Sequence, residues 1–260
     1  MMRNKFFGVA GALAVVFTAG AAWADDWIVT IGGRAQAVVP YEGAGHDIFV
    51  PTPSLSIRRA GQPERFRPAD DGLGITVLGN RVISVGPVGR LRGKRDSKDD
   101  RVGLDEVKLA IEPGAFVTIW PVDWLRLHAE GRKGVRGHHG WVEDVSGDLV
   151  ANLGPWTATI GPRAGWGDQS YMDTYFEVSP AEAAASPVIG AAYRPMAGLR
   201  YLGASSSITY RWSPHWQATA NASYHRLASQ AADSPIVRDL GERDEFSGGI
   251  GLRYSFTYHH

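Results

Sequence analysis

Apolar and polar residues alternate with a period of two along most of this chain. Near the start, Trp27, Val29, Ile31, Ala35, Ala37 and Val39 are separated by positions that include Thr30, Arg34 and Gln36. A β-strand turns successive side chains to opposite faces, so the pattern predicts a strand with one apolar and one polar face. In WLRLHAEGR, Leu125, Leu127 and Ala129 oppose Arg126, His128, Glu130 and Arg132. Further on, Trp141, Val145, Leu149, Ala151 and Leu153 oppose Asp144, Ser146, Asp148 and Asn152. Residues 201–212 and 216–225 repeat the design and place Arg211, Ser223 and His225 on polar faces. At the end of the chain Phe246, Gly248, Ile250, Leu252, Tyr254, Phe256 and Tyr258 alternate with Ser247, Arg253, Ser255 and Thr257.

Two architectures produce such runs. Strands of a soluble sandwich average about five or six residues and fill their core face with large aliphatics. The runs here are about ten residues or longer, enough to cross a bilayer as tilted strands. Their apolar face is thin in places, built from Ala and Gly, with Trp27, Trp120, Trp124, Trp141, Trp212, Trp216, Tyr224, Tyr254 and Tyr258 near the ends. Membrane interfaces select aromatics at those positions. After residue 24 no stretch approaches the ~18 consecutive apolar residues of a spanning helix, so strands must do any crossing. A final strand with nothing after it fits this picture, because in a closed barrel the last strand pairs with the first.

The connections fall into two kinds. Residues 121–124 and 213–216 are tight turns, whereas 92–101 and 227–245 are long, charged and irregular, and 179–195 is a loop with a helix-like centre. Short turns on one rim and long polar loops on the other are the habit of bacterial outer-membrane barrels, which use even strand numbers. The expectation is therefore an all-β, transmembrane antiparallel barrel of about 12 strands, with 10 as the runner-up count. Residues 72–120 carry the weakest pattern.

Composition refines this only at the N-terminus. Arg3 and Lys5 precede an uncharged run from Phe6 to Ala22, and Ala22-Trp23-Ala24 supplies small residues just before Asp25 and Asp26. This is the layout of a cleaved secretory signal over residues 1–24, leaving a barrel over residues 25–260. The whole chain has 27 basic and 27 acidic residues; removing Arg3 and Lys5 leaves 25 against 27, a balance of −2. Such a chain has no electrostatic draw for nucleic acid. The absence of cysteine excludes disulfides and thiolate catalysis.

Arg126, His128, Glu130, Arg132, Asp144, Asp148, Arg211, Ser223, His225 and Arg253 all fall on predicted polar faces and are the candidate lumen-lining residues. Charges there need acids as partners, and pairing of the arginines with Glu130, Asp144 and Asp148 would plug the barrel or line a narrow pore. Ser223 and His225 share a face beside Asn221, as a hydroxyl nucleophile and its base could, but no orienting carboxylate accompanies them; the reading is polar filling, with no catalytic residue. Adjacent histidines at 138–139 and 259–260 point to opposite faces and lack further ligands nearby, so no metal or other cofactor is expected. The glycines of TIGGRAQ and SVGPVGRLRG lack a following helix and are strand glycines.

Several segments in order resemble the MipA/OmpV family of MltA-interacting proteins. They are VVPYEGAGHDIFVPTPSLSIRR, RKGVRGHHGW, YMDTYFEVSPAEAAAS, DSPIV and the closing GLRYSF. Glu177 stands where the family pattern has Gly, and the chain continues four residues past Phe256. The resemblance implies a non-enzymatic barrel in the outer membrane, in contact with its lipid and monomeric. Its partners would be a murein lytic transglycosylase and a penicillin-binding murein synthase, which it would link as a scaffold. It also implies an assembly signal among Tyr254, Phe256 and Tyr258. The alternatives are a small-solute porin-like channel or an adhesin, and after them a lipid-modifying enzyme.

Overall fold

Each of these alternating runs becomes a strand of one antiparallel sheet. The structure, a computed structural model, describes residues 26–61, 64–95 and 103–258. The expected signal segment, residues 1–24, and His259-His260 lie outside the described residues. The strands are β1 (Trp27–Val38), β2 (Ile48–Arg59), β3 (Leu73–Gly74), β4 (Leu78–Gly79), β5 (Ile83–Arg92), β6 (Ala110–Val122), β7 (Leu125–Lys133), β8 (Trp141–Leu153), β9 (Trp156–Gly167), β10 (Gly198–Arg211), β11 (Trp216–Leu227) and β12 (Asp244–Tyr258). Helices α1 (Gln169–Phe176) and α2 (Pro180–Ala185) lie between β9 and β10, and α3 (Ser229–Asp233) and α4 (Pro235–Arg238) between β11 and β12.

The first and last strands meet as expected. β1 pairs with β12 from Trp27↔Tyr258 to Ala37↔Gly248, and the ladder continues neighbour by neighbour from β12 back to β5. β3 and β4 both pair with β5 and belong to one descending run, since Ile75 N donates to Pro87 O at 3.1 Å and Val77 N to Val85 O at 3.0 Å. The twelve strands match the expected number. Ten of them are long; the other two, in the weakly patterned region, are two-residue pieces.

The path has two ends, β2 and the 73–79 run, with no ladder between them among the described residues. The chain that joins them turns inward. Glu64 lies by Arg211 and Arg253 near the short-turn rim, while Gly72 donates from its backbone to Glu130 in the middle of β7. Residues 64–72 thus rise inside the lumen where a wall strand would otherwise stand. Counted as crossings, ten long strands, this rise and the 73–79 descent again make twelve. Local chemistry explains the choice: PERFRPADDG carries five charges and two prolines and has no apolar face to offer lipid. Pro51 and Pro53 lack N–H groups, and β2 keeps an unbroken register with β1, so the missing donors fall on its free side. On the opposite end the inward segment takes over a neighbour's work. Arg67 Nη1 donates to Gly74 O at 2.7 Å, and Arg65 Nη2 donates to Arg81 O. At the long-loop rim the chain just past β5 approaches the β1–β2 loop, with Gly93 N bonded to Pro40 O at 2.8 Å.

The outer face carries an apolar band between two aromatic girdles. Ile31, Leu127, Val145, Leu149, Ile160, Leu202, Ile208, Ile250 and Leu252 are exposed in the band. Trp27, Trp124, Trp156, Tyr210, Trp212, Trp216, Tyr254, Phe256 and Tyr258 gather at the short-turn end, where Trp156 and Tyr210 lie 4.4 Å apart and Trp216 and Tyr254 4.9 Å apart. Phe49, Trp141, Trp166 and Phe246 mark the other end. Between the girdles β8 alone spans about 30 Å once strand tilt is allowed for. That is the thickness of a bilayer's hydrocarbon core.

Candidate functional site

The lumen holds most of the protein's buried charge. Arg132 on β7 reaches Glu112 on β6 (3.1 Å), Glu130 on its own strand (2.9 Å) and Asp144 on β8 (2.5 Å), and is fully buried. Arg126 bridges Asp148 at 2.7 Å and Asp71 of the inward segment. Asp148 also accepts from Arg163 on β9 at 2.7 Å, and Arg163 binds Asp70 at 2.5 Å. Arg90 on β5 joins Glu130 at 2.7 Å. Side chains two apart on a strand share a face, and antiparallel register sets like rows side by side, so acids and bases of neighbouring strands meet without any helix. Thr118 and the His128 Nδ1 lie 2.7 Å apart in the same layer.

Of the residues singled out from sequence, Arg126, His128, Glu130, Arg132, Asp144 and Asp148 form this network together. Arg211 and Arg253 do not join it; both bind Glu64, at 2.6 and 3.0 Å, and so hold the entry of the inward segment. Ser223 donates to Ser205 Oγ at 3.0 Å rather than to His225, and Ser205 donates to Asp70 at 3.4 Å. His225 stacks on Tyr201 at 4.3 Å. Among the described residues no hydrogen bond joins Ser223 to His225. His138 is bonded to Glu112 at 3.0 Å inside the ion-pair cluster. No grouping of three His, Asp or Glu residues suited to a metal occurs among the described residues.

Sequence reasoning missed Glu42, Asp70, Asp71, Arg90, Arg92, Glu112, Arg163 and Arg200. Arg90 and Arg92 alternate along β5 and Glu112 follows Ala110 by two, so their common face was readable; Glu42, Asp70 and Asp71 sit in connections, where no periodicity points inward.

A folded cap covers the lumen at the long-loop rim. Asp168 accepts from Tyr171 N at 2.9 Å and starts α1, which buries Tyr171, Met172, Tyr175 and Phe176. These pack with Tyr41, Val142, Tyr201, Leu227 and Val237. Arg200 and Arg92 stack over Tyr171 at 5.0 and 5.2 Å and tie the cap to the charge network. Burial pushes the Tyr175 hydroxyl up to about 12, so it stays neutral. Ser179 and Glu182 cap α2 reciprocally, and Glu182 also accepts from Asp105 N at 2.9 Å, fastening the β5–β6 loop to the cap. Gly43, at φ +82°, turns the β1–β2 loop so that its N–H meets Glu245 at 2.6 Å. Glu42 beside it binds Arg200 and, at 3.1 Å, Arg92. Burial pushes its carboxyl up, but the two guanidiniums outweigh that and hold it below the usual 4.5.

An antiparallel barrel with two aromatic girdles and a polar interior defines an outer-membrane protein, with the short turns on the periplasmic side. A family model described as MltA-interacting protein MipA matches residues 29–256, and the chain belongs to that family. No curated protein sequence matches it. Among solved structures it is similar to an outer membrane channel from Pseudomonas putida F1, at 12% identity over 92% of this chain and 97% of that one, TM-score 0.44. The CymD monoaromatic hydrocarbon channel is similar at 12% identity over 92% and 90%, TM-score 0.36. The outer membrane protease OmpT from Escherichia coli follows at 11% over 90% and 96%, TM-score 0.32.

Proposed function

We propose that this protein is a non-enzymatic, plugged outer-membrane barrel that anchors cell-wall enzymes, linking a murein lytic transglycosylase to a murein synthase of the penicillin-binding class. The observation that carries the reading is the filled lumen: an ion-pair network, an inward segment and an aromatic cap occupy the space a conduit needs. The family's own description, an interacting protein, supports it for the first partner. Partners would meet the periplasmic rim, where the turns are short and the entry of the inward segment, with Arg58, Arg59 and Arg81 nearby, offers the larger irregular surface. Arg126, Arg132, Asp144 and Asp148 then act as fillers of the wall, and Ser223 and His225 as polar lining. Tyr254, Phe256 and Tyr258 face outward at the periplasmic girdle, where an assembly signal must be read.

Co-purification from detergent-solubilised envelopes, followed by mass spectrometry, tests this. Both enzymes are expected with the barrel; recovery of folded barrel with neither overturns the scaffold. A second reading, a small-solute channel, rests on the half-buried polar wall of Thr52, Ser54, Gln36 and Asn221 with Gly249 and Gly251 between, where Arg34 supplies a positive charge. It requires the inward segment to leave.

A further inference from the structure

We propose that the outer wall over β5–β8 binds an acylated, phosphate-bearing lipid of the outer leaflet, with acyl chain in a groove and phosphate on Lys133, Arg136 and Lys108. The inference goes beyond the scaffold reading and does not depend on it.

Cross-strand register builds the groove. One outward row runs Val85, Val117, Ala129, Val145, and the next row toward the loops runs Pro87, Ala115, Gly131, Glu143. At the centre of the second row Ala115 and Gly131 are small, and Gly89 and Pro113 follow in the row above; larger exposed side chains stand two rows away on either side, Leu91 and Ile111 above and Leu127 and Ile119 below. A Cβ placed on Gly131 or on Gly89 would meet nothing within 4 Å. The result is an apolar depression of about 700 Å³, walled on one side by Val77 and Leu78. Lipid chains fill such a depression, and doing so removes apolar surface from any water that reaches the interface.

Charge sets the headgroup. Two pairs above Gly131↔Glu143 in the same ladder, and on the same face, stands Lys133↔Trp141, with the Lys133 ammonium 5.5 Å over the Trp141 ring. Val135 N bonds Ile111 O at 3.0 Å, which carries exposed Arg136 along the top of β6. Exposed Lys108 is brought to the same place, since its carbonyl oxygen lies 2.6 Å from where Gly137 would bear a Cβ. Lys133 thus stands at the outer aromatic girdle beside the groove, and the chain just above it carries two further exposed cationic residues, Arg136 and Lys108. Cations at the headgroup level favour anionic lipid. Glu143 repels phosphate at its own level and so directs it one row higher.

The test uses the full mature chain folded in detergent micelles, native mass spectrometry, and three probes: bis-phosphoryl lipid A, the same lipid stripped of phosphate, and phosphatidylglycerol. Lipid A with both phosphates is expected to stay bound, and the stripped lipid to be lost. Lys133→Gln with Arg136→Gln should weaken retention about tenfold or more, and Gly131→Phe should do so by occupying the groove. Ala129→Phe serves as a second groove filler should the glycine variant fail to fold, and heat-modifiable migration verifies folding of each. Equal retention of all three lipids, or wild-type retention by the folded variants, overturns the proposal.

Discussion

Asp70 and Arg163, ninety-three positions apart in the chain, meet inside the lumen with Nε 2.5 Å from Oδ2. The first belongs to the inward segment and the second to the wall, so this contact, with Asp71 on Arg126, fastens the plug at mid-height. Asp70→Asn with Asp71→Asn removes both anchors while keeping the shape. Wild-type protein is expected to be silent in planar bilayers and the double variant to show conducting events; equal silence in both would mean that Glu64 and the cap suffice to hold the plug.

Arg132 is the hub of the wall network. Arg132→Met would leave Glu112, Glu130 and Asp144 facing one another, and breaking a buried pair by deleting one partner costs about 3–5 kcal/mol. Arg200 and Arg92 retain part of the compensation. The expected readout is a clear fall in the urea midpoint of unfolding, or in the temperature at which the folded band is lost on a gel. An unchanged midpoint would show that water reaches this layer and screens the carboxylates.

Glu42 makes the cap sensitive to acid. Its folded carboxyl titrates below 4.5, so the stability it lends is complete above that pH and is lost as pH falls through the folded value. Melting followed by tryptophan fluorescence should therefore weaken on acidification below pH 4.5. Glu42→Gln should start lower and show a shallower fall. A variant whose acid profile overlays that of wild type would refute the assignment.

Much of this was legible beforehand because a lipid-facing strand has to alternate. The six runs read from the sequence are strands, and the inward placement of Arg126, Glu130, Arg132, Asp144 and Asp148 follows from the same parity. Pairing of Arg211 and Arg253 with Glu64 was not legible. It depends on residues 64–72 entering the barrel, and nothing periodic marks a connection that fills space. Likewise the cap: Tyr171 and Tyr175 stand four apart on one helix face, but their burial comes from Tyr41, Tyr201 and Leu227, contributed by three other parts of the chain.

Ser223→Ala should cost no more than about 1 kcal/mol, the worth of one hydrogen bond to Ser205. His225→Ala loses the stacking on Tyr201 and little else. Both variants should capture the same envelope partners as wild type in co-purification. A lipid-modifying activity abolished by both would instead restore the catalytic reading.

Phe256 pairs with Val29 and Tyr258 with Trp27, so both close the seam between first and last strands. Phe256→Ala is expected to lower the folded, heat-modifiable fraction recovered from cells more than Tyr258→Ala does. The reverse order would move the assembly signal to the later aromatic.

The segment withdrawn between β2 and β3 leaves the parity of the chain intact. Because one upward stroke is spent inside instead of in the wall, Trp27 and Tyr258 still lie side by side on the cell-wall side, and a curved sheet with a gap keeps the wiring of an even ring. Lengthening or shortening that inner stroke therefore changes what fills the bore without reversing any strand, and variation can accumulate there at no cost to insertion.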